Sequence, residues 1–381
     1  MKQIFKISTV LVILFAMSVV SLAQDDHTAI EEFDEGVTVT EVDCTLADGT
    51  ESTCYQIEGI AVPVFEIGPF CPETLDDVGG VWDWDGENAG VYTLDRDFFE
   101  MVAEQGYVFY DDDGNISIVT QVGGGAPGGD GGDNDGGNTG GSSCLAQTPD
   151  EEVTMTALIP AEPVMADAPT DLGTVAQVGV GIDGVPIFAD APSVLDTGNL
   201  PALDTCGGHV DPGGWYHWHA TASDIDSSLD HEGVEDVHCH LEQSANALFG
   251  YAFDGYAIYG SAESDGHLAE DLDECNGHVG STIDNEDVEY HYHATLEFPN
   301  LPACLVGVVA SNNFTTTATA GIGAGGQGQN RPDFALAAEE LGITEQELQD
   351  ALGQPPNFEV AAEELGITVE ELQNALGMSG D

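Results

Sequence analysis

Between Val37 and about Val122 short apolar runs alternate with Gly, Pro and Asp, as in Tyr107-Val-Phe-Tyr110, Asp111-Asp-Asp-Gly-Asn115 and Ile116-Ser-Ile-Val119. Two β-prone runs about a turn-forming cluster predict a hairpin, so residues 37–122 read as a small β-rich domain holding Cys44, Cys54 and Cys71. Two tetrads, Tyr216-His-Trp-His219 and Tyr290-His-Tyr-His293, also have strand periodicity. Residues i and i+2 share a face of the pleat, so Tyr216 and Trp218 oppose His217 and His219, and Tyr290 and Tyr292 oppose His291 and His293. Between these regions, residues 123–143 contain Gly, Asp and Asn with almost nothing to bury, and read as a flexible linker.

The N-terminus has a different pattern. Lys2 and Lys6 precede the apolar run Val10 to Val20, and Ser21-Leu22-Ala23 supplies small residues before a cleavage point, which predicts a secretory signal over residues 1–23. The apolar run is too short for a membrane anchor. Position 24 is Gln, so a lipid-bearing cysteine is not expected there, and residues 24–36 form a loose acidic segment. A secreted or periplasmic protein follows, and its eight cysteines, an even number, read as disulfides.

Helical periodicity is confined to residues 332–378, where Pro332-Asp-Phe-Ala-Leu-Ala-Ala-Glu-Glu-Leu-Gly342 and the eleven residues after it return 24 positions later from Pro356 to Gly377. Asp333 and Asn357 can cap a first helix, Gly342 and Gly366 can stop it, and Thr344 with Glu347, like Thr368 with Glu371, can box the start of a second. Tandem α-helical hairpins are expected, set off by a Gly-rich linker at 319–331 and suited to docking a protein partner. The Ala-Ala-x-x-Leu-Gly-Ile-Thr pattern resembles a DNA-binding helix-turn-helix. A recognition helix bearing Glu345, Glu347 and Asp350 without one basic residue cannot approach phosphate.

Charge extends that exclusion to the whole chain. Asp and Glu total 70 against 4 Lys and Arg, for a formal net charge of -66. Nucleic acid and anionic membranes require basic side chains, so neither is an expected partner. Chemistry built on a Schiff-base lysine or on arginines gripping phosphate is excluded on the same ground. The hydrophobic fraction of 42% is ordinary, so the acidity covers something folded. Such a surface repels itself unless screened, which predicts a saline or calcium-containing medium and a calcium-holding exterior. The linker stretch Asp130-Gly-Gly-Asp-Asn-Asp135 invites a calcium-loop reading. Counted from Asp133, its twelfth position is Cys144 where a bidentate Glu is needed, so it stays a linker.

The most informative feature is a longer repeat within residues 144–318. Ile182-Asp-Gly-Val-Pro-Ile-Phe188, Leu203-Asp-Thr-Cys-Gly-Gly-His-Val210 and Tyr216-His-Trp-His-Ala-Thr221 return as Phe253-Asp-Gly-Tyr-Ala-Ile-Tyr259, Leu272-Asp-Glu-Cys-Asn-Gly-His-Val279 and Tyr290-His-Tyr-His-Ala-Thr295. Three blocks recurring in order imply two similar halves, about 175–240 and 246–310, related by a pseudo-twofold axis. A later cysteine in each half makes Cys206 with Cys239 and Cys275 with Cys304 the economical pairing, although four cysteines allow three connectivities. Paired histidines on one strand face can reach a single ion, and imidazole is a common ligand for zinc and copper. His217, His219, His291 and His293 are the leading candidates. His209 and His278 would supply third ligands, and three nitrogens leave an open position. His238 and His240 form another His-x-His about Cys239. His238-Cys-His-Leu-Glu and Trp215-Tyr-His-Trp-His resemble fragments of multicopper oxidase motifs, but only 18 residues separate His219 from His238 and no Met ligand follows. A solvated polar strand face is the competing explanation for any one His-x-His.

Taken together, the ordered blocks His209-Val-Asp-Pro-Gly-Gly-Trp-Tyr-His-Trp-His219, Phe249 to Gly260, Leu272-Asp-Glu-Cys-Asn-Gly-His278, Tyr290-His-Tyr-His293 and Leu301-Pro-Ala-Cys304 closely resemble the YHYH-domain family of secreted bacterial proteins, over about residues 150–311. Trp218 departs from the name-giving motif on the core face and leaves both histidines in place. The resemblance implies export and a His-rich domain, and assigns no reaction. The expected architecture is mainly β: a disulfide-stapled YHYH domain with an internal repeat, a small N-terminal β-rich domain and C-terminal tandem helical hairpins. Two functions compete, a secreted protein binding copper or zinc, with Asp204 or Asp273 as nearby carboxylates, and a noncatalytic extracellular surface protein on a structural scaffold.

Overall fold

A computed structural model describes residues 33–120, 142–172, 177–189, 191, 193–232, 239–241, 243–285, 288–297 and 299–321, with isolated positions between 341 and 372. The signal segment 1–23 and the linker 123–143, apart from its last two residues, lie outside them.

The repeat builds one eight-stranded sheet. Its order is Gly208–Val210, Tyr216–Trp218, Pro186–Phe188, Gln177–Gly181, Leu248–Ala252, Ala257–Tyr259, Glu289–His293 and Gly277–Gly280. Each half supplies four strands in the same arrangement, reading outward from the central antiparallel pair. In each, a tight turn returns the first strand antiparallel, and the tetrad strand then adds in parallel, with Ile187 opposite Trp218 and Ile258 opposite Tyr292. The central pair has Gly179 opposite Ala252, Val180 opposite Tyr251 and Gly181 opposite Gly250. The backbones close tightly there: a Cβ on Gly179 would sit 2.0 Å from the Tyr251 carbonyl oxygen, and one on Gly250 would sit 2.4 Å from that of Val180.

All five residues of each central strand are buried, so both faces of the sheet are covered and the strands read as near-continuous apolar runs. The main core gathers Val178, Val180, Ile187, Trp215, Tyr216, Trp218, Tyr251, Phe253, Ile258 and Tyr292. A second core forms around Trp84, Phe98, Phe99 and Phe109 and continues into Val194, Leu203 and Leu229 of the first repeat half. Asp95 caps the helix Arg96–Glu104 through its carboxylate and the Phe98 amide, which directs Phe98, Phe99 and Val102 into that core.

Residues 37–122 do not stand apart from the rest. Strands Thr38–Thr45 and Glu51–Gly59 pair with each other, and the second pairs with Met155–Pro160, which pairs in turn with Phe314–Thr316. Four disulfides join Cys44 to Cys54, Cys71 to Cys144, Cys206 to Cys239 and Cys275 to Cys304. The second ties the N-terminal segment to the start of the repeat region.

The fold class needs one correction. The structure is mainly β, and among the described residues its helices are Arg96–Glu104, Ala222–Glu232 and a single turn at Val194–Thr197. The C-terminal tandem hairpins expected over residues 332–378 are not shown, since most of that stretch lies outside the described residues and no complete helix is defined there. Leu348, Ala351, Ala361, Ala362 and Leu372 do gather into a small apolar cluster, and Gly342 and Gly366 both have positive φ, 70° and 71°. Among the described residues no helix is long and apolar enough to cross a membrane.

Candidate metal centres

Strand alternation places the aromatics and imidazoles of each tetrad on opposite faces, and antiparallel register supplies the third histidine. His209 lies directly across from His217, and His278 directly across from His291. Side chains at such positions project to the same face with their Cβ atoms about 5 Å apart. In the first half the turn Asp211-Pro-Gly-Gly214 folds the third imidazole against the first two.

The imidazole face is not solvated. His217, His219, His291 and His293 are each 2% exposed. Phe188 packs on His217 with ring centroids 4.4 Å apart, Trp215 flanks the same ring, and Tyr259 stands in the equivalent place beside His291. In the first centre the three Nε2 atoms converge: 3.0 Å from His209 to His217, 3.0 Å from His217 to His219 and 3.2 Å from His219 to His209. In the second, His291 Nε2 lies 3.2 Å from that of His278 and 3.1 Å from that of His293. Glu263 joins this centre, its Oε1 3.1 Å from His278 Nε2 and 3.8 Å from His293 Nε2.

The opposite ring nitrogens define protonation. His293 Nδ1 is 2.8 Å from the Gly260 carbonyl oxygen, His291 Nδ1 is 3.2 Å from that of Glu289, and His209 Nδ1 is 3.1 Å from that of Pro201. A carbonyl oxygen only accepts, so each Nδ1 carries the hydrogen and each Nε2 of a neutral ring presents a lone pair. Backbone carbonyls holding the far N–H in this way are characteristic of metal-ligating histidines. His217 Nδ1 and His219 Nδ1 are buried without a hydrogen bond.

Burial favours the neutral rings. It pushes His209 down to about 4 and, with neighbouring imidazoles adding to the effect, carries His217 and His219 well below the ordinary value. His291 is likewise lowered to about 4 by burial and by His293, and burial lowers His293. At neutral pH these five rings are in the form that can donate to a metal.

On the other face, every tetrad aromatic ends on a carboxylate. Tyr216 donates to Asp204 at 3.0 Å and Trp218 Nε1 to Asp183 at 3.1 Å, while Tyr290 donates to Asp273 at 2.8 Å and Tyr292 to Asp254 at 2.6 Å. Trp218 thus preserves the donor that the tyrosine at that position of the other tetrad supplies. Asp204 and Asp273, expected beside the histidines, instead hold tyrosines and the amides of their own turns. Asp204 is fully buried, and burial pushes it up to about 6.

Two further expected ligands flank Cys239. His238 lies outside the described residues, and His240 is exposed beside Cys239, which is committed to its disulfide. Sequence reasoning missed Glu263, Asp183 and Asp254. The two aspartates were visible as an Asp-Gly pair recurring in both halves, whereas Glu263 has no counterpart in the first half to flag it.

Neither a curated relative nor a solved structure matches the chain. The YHYH protein family matches residues 156–269 and 262–307, a stretch that includes all the strands of the eight-stranded sheet and both histidine centres. The chain therefore carries a YHYH domain over residues 156–307.

Proposed function

We propose that this is an extracellular metal-binding protein whose YHYH domain holds zinc or copper at its two imidazole centres. One observation carries the reading: His291 and His293 both commit their Nδ1 hydrogens to carbonyl oxygens, so two Nε2 lone pairs face each other at 3.1 Å inside the protein. Two buried lone pairs at that distance repel unless a cation lies between them. Nitrogen ligands bound at roughly 2.0–2.1 Å in tetrahedral or octahedral geometry are separated by about 2.9–3.4 Å. The separations of 3.0–3.2 Å among these histidines fall in that interval. Imidazole donors favour zinc and copper over calcium or magnesium, which take oxygen. Four disulfides and no free cysteine among the described residues support an oxidising compartment. Calcium, in this reading, is a counter-ion of the acidic exterior.

The test is metal analysis of the purified protein beside a His291→Ala/His293→Ala variant. Near-stoichiometric zinc or copper in the wild type, reduced in the variant, is the expected result. Substoichiometric zinc and copper in both would leave the domain as a rigid scaffold on a noncatalytic surface protein.

A further inference from the structure

The two centres share register and ligand atoms, but they differ in charge and in access. Glu263 brings a carboxylate to the second. Among the described residues no carboxylate joins His209, His217 and His219. The walls differ likewise. Phe188 and Trp215, both fully buried, close over the first triad, whereas the second opens to a surface recess lined by Asn246, Ser264 and Thr282, with the Glu263 side chain 24% exposed.

A divalent ion at the second centre leaves a net charge of one positive after Glu263 is counted. The same ion among three neutral imidazoles leaves two, beside the buried rings of Phe188 and Trp215. The cost of a charge in a low-dielectric interior rises with its square, so the first triad meets about four times the penalty with a divalent ion that it meets with a monovalent one. Copper is among the metals that imidazole suits, and copper(I) is its monovalent state. Resting on the reading that both centres bind metal, we infer that the duplicated triads have divided their labour: the second holds a divalent ion such as zinc(II) through three histidines and Glu263, and the first, covered by Phe188 and Trp215 and without a carboxylate among the described residues, selects copper(I).

The experiment titrates the full-length metal-free protein anaerobically with zinc(II) against a chromophoric chelator, then with copper(I) kept reduced by ascorbate, and repeats both on Glu263→Gln. This variant keeps the size of a side chain that is partly exposed, and its folding is checked by circular dichroism. One tight zinc per chain is expected, followed by one copper(I) that leaves the zinc in place. Glu263→Gln should weaken zinc by at least about 10–100-fold, the range seen when a group merely supporting a metal ligand is lost, and leave copper(I) binding unchanged. A second zinc bound within about tenfold of the first, copper(I) displacing zinc one for one, zinc without any copper(I), or a variant weakened equally toward both ions overturns the division. A protein that binds neither ion overturns the parent reading as well.

Discussion

Tyr292 offers the sharpest test of how the tetrad is held. Its hydroxyl donates to Asp254 Oδ2 at 2.6 Å and accepts from the Val306 amide at 2.8 Å, with both tyrosine and aspartate fully buried. Tyr292→Phe removes both bonds and supplies no replacement. A buried amide left unpaired costs about 1–3 kcal/mol, and a lost hydrogen bond to a charged group about 1.5–3 kcal/mol. The expected destabilisation is therefore about 3–5 kcal/mol, which in urea moves the unfolding midpoint by roughly 1–2 M at an unchanged slope. Tyr290→Phe is the internal control. It is the first tyrosine of the same tetrad, two residues earlier on the same strand face, and donates to Asp273 at 2.8 Å, but in an exposed setting, so its loss should stay below about 1 kcal/mol. The pH dependence adds a signature. Burial already holds the Asp254 carboxyl above its usual range, and the Tyr292 bond opposes that shift. Without the bond the folded-state value rises further, so the variant's native state takes up a proton at higher pH. A group raised on folding contributes stability that grows as pH falls, and the deficit of Tyr292→Phe should be smaller at pH 5 than at pH 8. Equal losses for the two variants, or a deficit that grows on acidification, would refute the idea that a buried carboxylate anchors this aromatic.

Metal-free protein should lose stability in acid through His209, which stays neutral in the fold down to about pH 4 while the unfolded chain protonates near its ordinary value. Its contribution is complete above about pH 6.5 and falls by about 1 kcal/mol per pH unit toward 4, so a His209→Gln variant should show a shallower stability slope by that amount in urea titrations across this range. Replacing Cys206 and Cys239 by Ala opens a 33-residue separation and should cost about 2–4 kcal/mol, more than the same change at Cys44 and Cys54, which are 10 apart; matching losses in denaturant melts would contradict this. The acidic surface has little internal compensation, since Arg96, the one basic side chain among the described residues, pairs with Asp76 at 2.5 Å and Glu100 at 3.4 Å. Calorimetric melting temperatures should accordingly rise from low salt to 1 M NaCl, and a flat response would show that self-repulsion is not limiting.

The tetrads illustrate what a sequence can carry. Alternation alone separates His217 and His219 from Tyr216 and Trp218, because a two-residue period is a property of the strand itself. Whether the histidine face is wet depends on Phe188 and Trp215 arriving from elsewhere, and no local pattern announces that. The pairing of Glu51–Gly59 with Met155–Pro160 is hidden for the same reason, since partners a hundred residues apart leave no shared periodicity. Glu263 illustrates a different limit. A search by internal repeat finds what both halves share, such as Asp183 and Asp254, and passes over a residue that distinguishes them.

The central seam has an ancestry written in its register. With the repeat offset of 71, Tyr251 is the counterpart of Val180, and these two residues face each other; Gly179 and Gly181 meet the counterparts of one another. A pairing in which a strand meets its own equivalent is the isologous contact of a twofold dimer, made here within one chain. Either half alone would expose a buried strand with its hydrogen-bonding groups unpaired, the edge most prone to recruit another chain. Its nearest suitable partner would be a second copy of itself, so the seam has the form of a twofold dimer interface closed within one chain.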